Sequence, residues 1–174
     1  MEEQNVFVST RQIVKRYPGV LALDRVDMDF FHGEIHAICG ENGAGKSTFI
    51  KILTGAIQPD SGSILIDNCV CGGFTPHQAM TRFGISAIYQ EFNLVPALSI
   101  AKNLFLGNEI RRNALLDIGE MNRRAKEILR ALAVDLDPRI PVERLAVAYQ
   151  QIVEIAKATH QKARLLILDE PTAP

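Results

Sequence analysis

Gly40–Glu41–Asn42–Gly43–Ala44–Gly45–Lys46–Ser47–Thr48 is the stretch that decides how this chain is read. It fits G-x-x-x-x-G-K-[ST], the phosphate-cradling P-loop. Each residue type has a physical task. The glycines let the backbone turn tightly and leave no Cβ in the way of a phosphate. Successive backbone N–H groups then point inward as an anion-binding nest. A helix that starts at the end of the loop adds its positive end. Lys46 brings a full positive charge to the β- and γ-phosphates of a nucleotide, and the Ser47 hydroxyl is placed to bind Mg²⁺.

The flanks agree with the motif. A P-loop follows a strand and opens a helix. Upstream, residues 34–39 (Glu-Ile-His-Ala-Ile-Cys) read as a short, largely apolar strand. Downstream, Phe49, Ile50, Ile52 and Leu53 give an apolar helical face, and Gly55 can end it. The whole chain has 174 residues, a length that suits one domain. Its hydrophobic fraction of 47% and charged fraction of 22% are globular values. A net charge of −1 gives no basic footprint for nucleic acid. The acidic, polar start, Met1–Glu2–Glu3–Gln4–Asn5, does not read as a signal peptide. No apolar run reaches membrane-spanning length, so a membrane role is expected to come through a partner. Three cysteines argue against a disulfide framework. Cys69 and Cys71 lack a second ligand pair for zinc, and Cys39 reads as a small buried hydrophobe.

In chain order, 6–8 begin a strand and 15–19 form a turn. Val26, Met28 and Phe30 alternate with polar neighbours as a half-buried strand. Residues 58–62 are a dense turn signal before a strand over 63–67. A short helix starts at Pro76, and 84–89 form a strand with Gln90 at its carboxyl end. From 91 to 161 the pattern turns helical. Ser99 caps a first helix, and a second over 120–134 carries Ala125, Ile128, Leu129 and Leu132. Arg123, Arg124, Lys126 and Arg130 form its solvated face. A third helix over 150–160 turns Ile152, Ile155 and Ala156 inward, with His160 as a charge partner at its end. Leu165 to Leu168 read as a fully buried strand. Asp169 and Glu170 stand at its tip. After a P-loop, an acid there is the expected Mg²⁺ partner, and the second is positioned to polarise an attacking water.

The order of P-loop, Gln90, helical insert and Asp169–Glu170 resembles the ATPase subunits of ATP-binding cassette transporters, over nearly the whole chain. The resemblance implies an α/β P-loop NTPase with a RecA-like core, an antiparallel β subdomain and a helical subdomain. The β subdomain and P-loop core would occupy 1–90, the helical subdomain 91–161, and the Asp–Glu strand 162–174. It implies ATP and Mg²⁺ as cofactors, with Tyr17 stacked on adenine and residues Gly40 to Thr48 holding the phosphates. Ser47, Gln90 and Asp169 would bind the metal, Glu170 would act as general base, and Gln90 would also sense the transporter. Several stretches are similar to the monosaccharide importers of bacteria, the ribose, xylose, arabinose and galactose type. They are Tyr17-Pro-Gly-Val-Leu-Ala-Leu23, Ile88-Tyr-Gln-Glu-Phe-Asn-Leu94, Asn103-Leu-Phe-Leu-Gly107 and Gln150-Gln-Ile-Val-Glu-Ile-Ala-Lys-Ala158. In that group two cassettes share one polypeptide, and this chain resembles the first part of the first. Membrane permease subunits, a second cassette and, indirectly, a periplasmic sugar-binding protein are the implied partners, and nucleic acid is not. The implied place is the cytoplasmic face of the inner membrane.

Two departures from the family pattern bear on activity. The Leu-Ser-Gly-Gly-Gln signature aligns with Leu145–Ala146–Val147–Ala148–Tyr149, which lacks its serine hydroxyl and both glycines. The family's D-loop and switch histidine would lie beyond Pro174. A truncated, non-hydrolysing remnant therefore stands as the rival to an importer ATPase, and a soluble cassette protein acting on DNA or ribosomes stands third. The resemblance also implies a strand inserted between residues 35–39 and Leu165 to Leu168 that the sequence does not hold. The expectation for the chain alone is an unpaired, aggregation-prone sheet with negligible ATPase activity.

Overall fold

The computed structural model describes residues 6–89 and 93–169. These fall into two compact units, Met1–Ile85 and Ser86–Pro174.

In the first unit, β1 (Val6–Tyr17) and β2 (Val20–Phe31) form a long antiparallel hairpin. The turn is narrower than the sequence suggests. Lys15 and Arg16 still pair with Leu23 and Leu21, and only Pro18–Gly19 turn the chain, with Gly19 at φ 77°. Lys15 stays in the strand because its ammonium is held by the Asp60 carboxylate and the Gln58 carbonyl, each at 2.8 Å. A bulge interrupts β1 at Gln12, where φ is 53°. The backbone N–H that the bulge leaves unpaired donates to the Asp27 carboxylate. β3 (Ser61–Ile66) lies on the other flank of β1, and β4 (Cys69–Cys71) forms the edge of a four-stranded sheet ordered β2-β1-β3-β4. β4 has no counterpart in the sequence reading. Its signal was Asp67–Asn68, whose positive φ values of 49° and 62° make the two-residue turn that a hairpin needs.

Helix α1 (Lys46–Leu53) buries Phe49, Ile50, Ile52 and Leu53, the apolar set expected of it. Phe49 sits 6.3 Å from Phe30 of β2, ring centre to ring centre. α2 (Pro76–Phe83) starts at Thr75 with a reciprocal capping box to Gln78. Residues 34–39 do not form the expected strand. No described strand is hydrogen-bonded beside them, and an apolar strand without a neighbour has no ladder to join. Ile35 is fully exposed in consequence, and Cys39 is exposed rather than buried as its small apolar side chain suggested.

β5 (Ile85–Ile88) starts at the last residue of the first unit, and the second unit continues through α3 (Ile100–Leu104), β6 (Arg111–Arg112), β7 (Leu115–Leu116), α4 (Ile118–Ala131), α5 (Val147–His160) and β8 (Leu165–Leu168). β5 and β8 are neighbours in a sheet. β8 is half-buried, with Leu168 48% exposed, where the sequence predicts full burial. Among the described residues β8 has one neighbouring strand, β5, so it lies at the edge of its sheet. The β6–β7 hairpin was not foreseen because two-residue strands carry no periodicity.

The three helices close on one core containing Ile100, Leu104, Phe105, Met121, Ala125, Leu129 and Val153. In α5 the inward set is rotated from expectation. Val153, Glu154, Ala156 and Ala158 are buried, and Ile152 and Ile155 are half-buried. The basic face of α4 is laced by carboxylates, Arg123 to Glu120 and Glu127 at 2.6 Å and Arg124 to Glu120 at 2.7 Å. Hydrogen bonds from Arg123 and Arg124 hold the Glu120 carboxyl down to about 2. His160 is not the charge partner expected. It packs edge-on against Phe105 at 4.9 Å, and burial pushes its pKa below the ordinary value, which favours the neutral ring.

Asn103 is the polar pivot of this core and is fully buried. Its Oδ1 accepts the Val95 N–H at 2.7 Å, and its Nδ2 donates towards the carbonyls of Val95, Leu98 and Ser99. Asn103→Asp keeps the acceptor and sets a second oxygen against those carbonyls. The variant should lose roughly 2–3 kcal/mol at neutral pH, the scale of an uncompensated buried polar group. Burial raises the folded-state pKa of the new carboxyl, so stability should recover as pH falls towards the unfolded value near ~4. Urea midpoints across pH 4–8 check both.

Candidate nucleotide-binding site

The loop between residues 40 and 46 is shaped by short-range geometry. The Ala44 N–H donates to the Glu41 carbonyl at 3.1 Å, closing a turn. Gly43 and Gly45 take φ values of 85° and 90°, which place them in the left-handed region. At Gly45 the constraint is absolute, because a Cβ would lie 2.4 Å from the Ala22 carbonyl oxygen and 2.9 Å from Leu23 Cδ2. The first residues of β2 thus lie hard against the loop, and only glycine lets the two backbones meet. On Gly43 a Cβ would meet nothing within 4 Å, so that side of the loop is open.

α1 starts immediately after, at Lys46. Its cap residue Gly45 offers no side-chain acceptor. The first helical bond runs from the Phe49 N–H to the Gly45 carbonyl at 2.9 Å. The N–H groups of Lys46, Ser47 and Thr48 therefore have no acceptor in their own helix. Lys46 Nζ folds back onto the carbonyls of Gly40 and Glu41 at 2.7 and 3.0 Å. Glu41, Asn42, Ala44 and Ser47 are exposed. The result is an exposed concentration of donors and one ammonium at a helix start. It fits a polyanion such as a triphosphate, whose oxygens can replace the two carbonyls as acceptors for Lys46.

Tyr17 ends β1 opposite Val20, on the hairpin whose second arm touches Gly45. Tyr17 is 42% exposed, and Lys15 Nζ stands 5.9 Å from its ring centre. An accessible aromatic face is thereby tied to the phosphate loop through a few residues of β2.

The other sequence-predicted residues belong to the second unit. Asp169 follows β8, and its N–H donates to the Ile88 carbonyl at the end of β5 at 3.0 Å. It sits at the carboxyl end of both strands, where α/β sheets present functional groups. Gln90 and Glu170 lie outside the described residues. The signature stretch opens α5, with Ala146 as a cap that supplies no side-chain bond and with Val147 and Tyr149 61% and 44% exposed.

Glu154 carries a role that the sequence did not reveal. It is 5% exposed and accepts the Asn93 N–H, and Lys157 one turn later donates to the Asn93 carbonyl at 3.4 Å. α5 thus holds both backbone groups of a residue three places after Gln90. Burial raises the Glu154 pKa, and its Oε2 has no hydrogen-bond partner among the described residues. A glutamate at an inward position of a helical pattern was the available signal.

Fold and loop together define an ATP-binding cassette. The family described as ABC transporter matches residues 23–173, and the chain belongs to it. Ribose import ATP-binding protein RbsA 1 of Rubrobacter xylanophilus is 54% identical over 163 residues, which cover 94% of this chain and 32% of that protein. RbsA 2 of Streptomyces coelicolor is 50% identical over 165 residues, covering 92% and 31%. The chain thus spans about a third of the length of the curated relatives it matches. Among solved structures, a nucleotide-free ATP-binding cassette from an ABC transporter superposes with a TM-score of 0.81 at 24% identity, over 97% of this chain and 70% of that one. A dimeric cassette bound to ADP and Pi gives 0.77 at 26% identity, over 95% and 74%.

Gly45→Ala tests the loop geometry. The new Cβ cannot coexist with the Ala22 carbonyl, and alanine resists φ 90°. The variant should be destabilised by more than ~1 kcal/mol, read from its urea midpoint, whereas Gly43→Ala should keep the packing and pay only for its φ.

Proposed function

We propose that this chain is the ATP-binding part of a bacterial monosaccharide importer, in which ATP binding and hydrolysis drive sugar uptake through membrane permease subunits. The observation that carries the reading is the donor-rich start of α1, with Lys46 resting on two carbonyls that phosphate oxygens can replace. Similarity to the ribose importer proteins supports the substrate class. In this reading residues Gly40 to Thr48 receive the phosphates and Tyr17 stacks on the base. Ser47, Gln90 and Asp169 hold Mg²⁺, and Glu170 is the general base. The chemistry is phosphoryl transfer to water, achieved by positioning and charge. A second cassette completes the composite site, the segment around Gln90 and Glu91 docks the permease, and a periplasmic binding protein delivers the sugar. The working place is the cytoplasmic face of the inner membrane.

The signature supports a qualification of this reading. Ala146, Val147 and Ala148 offer neither a hydroxyl nor a glycine approach to a γ-phosphate held by the partner cassette. The site facing them is therefore slow. In a complete two-cassette protein, Ala146→Ser with Ala148→Gly should raise single-site turnover by a factor on the order of 10²–10³ if a lost donor resembles an oxyanion-hole donor. Unchanged turnover would show that the signature is not limiting.

Binding itself is tested on this chain. Lys46→Ala should remove most affinity for a fluorescent ATP analogue in equilibrium titration, with the far-ultraviolet circular dichroism unchanged. Full affinity in the folded variant would refute the site.

A further inference from the structure

Cys69 and Cys71 stand one residue apart on β4, the edge strand of the first sheet. Residues two apart on a strand share a face. Their register partners, Ile66 and Ile64, are both buried, so both thiols lie on the covered side of the sheet. There they line a groove of about 480 Å³ together with Phe74, Gln78, Arg82 and Phe83. Cys71 is half-buried, and its Sγ has a weak contact with the Cys69 carbonyl at 3.5 Å. Cys69 is exposed at the mouth.

We propose that this pair is a binding site for a soft, monovalent metal cation, Cu(I) or Ag(I), held linearly between Cys69 Sγ and Cys71 Sγ.

The chemistry selects the cation. Thiolates prefer soft metals, and zinc asks for about four ligands. Among the described residues no group of three or more His, Cys, Asp and Glu is placed to hold a metal ion, so the two sulfurs are the ligands on offer, and Asp67 lines the same groove without completing such a group. A disulfide is the competing fate. Along a strand the two Cα atoms are separated by about 6.6 Å, at the far limit of disulfide spans. A metal bridge lengthens the sulfur-to-sulfur path and relieves that limit. The bis-thiolate complex of a monovalent cation carries one net negative charge, and the Arg82 guanidinium lines the same groove to balance it. The rings of Phe74 and Phe83, 5.3 Å apart, line the same groove. Binding exchanges two sulfur–hydrogen bonds for two sulfur–metal bonds, the protons leave to solvent, and no electron is transferred.

The site is independent of the nucleotide-binding reading, and its test needs no ATP. The reduced chain is titrated anaerobically with Cu(I) against the chromogenic chelator bathocuproine disulfonate. One equivalent should be withdrawn from the chelator, and X-ray absorption should report two sulfur neighbours. Cys69→Ser and Cys71→Ser should each weaken binding by about tenfold or more, a loss of about 1.4 kcal/mol at the least, whereas Cys39→Ser should leave it unchanged. Circular dichroism confirms that the variants are folded. The proposal is overturned if the wild-type chain takes no Cu(I) from the chelator. It is also overturned if the Cys69→Ser/Cys71→Ser double variant still binds, if half an equivalent binds as a bridge between chains, or if Cys39→Ser abolishes binding.

Discussion

The close approach of Gly45 to the Ala22 carbonyl is the contact on which the first unit depends. It joins three things that are remote in sequence. The β1–β2 hairpin gains a fixed position against the loop. The loop acquires its left-handed turn at Gly45. The turn in turn sets the direction in which α1 leaves, and therefore where the N–H groups of its first turn point. Burial of Phe49 near Phe30 fixes the same helix from its other side. The donors are thus held in place by backbone and core contacts that do not involve the ligand. Such preorganisation means that little rearrangement is needed when an anion arrives.

The second unit is organised around buried polar groups rather than one contact. Asn103 ties the residues before α3 to the helix itself through its side-chain amide. Glu154 and Lys157 do the same for Asn93 from α5. Both arrangements fix irregular backbone that lacks a ladder of its own, which is where a buried amide or carboxylate is most useful. Glu154 differs in holding one oxygen without a partner among the described residues, at an energetic cost that the apolar core must offset. A carboxyl in that condition is readily protonated, which is the direction its pKa takes.

Much of this was legible in the sequence, and the reasons are local. The P-loop could be read because its function lies in backbone geometry that glycine and lysine spacing encode directly. α1, α2 and α3 could be read because Gly55, Pro76 and Ser99 mark their ends. The misreadings arose where tertiary surroundings decide. Residues 34–39 have a strand's composition, yet Ile35 is exposed and no described strand pairs with them. Cys39 shares that exposure for the same reason. His160 looked like a helix-end cation, but it packs against the Phe105 ring and burial lowers its pKa. β4 was missed because three residues are too few for alternation, although the turn before it was spelled out.

The central claim is that the backbone donors at the start of α1, with Lys46, receive a triphosphate. Amide NMR of the ¹⁵N-labelled chain, titrated with Mg-ATP and separately with adenosine, tests it most directly. The account predicts that Mg-ATP moves the amides of Gly43, Gly45, Lys46, Ser47 and Thr48 most, and that adenosine leaves them in place. If Mg-ATP leaves these amides unmoved, or shifts only residues remote from them, the account is contradicted.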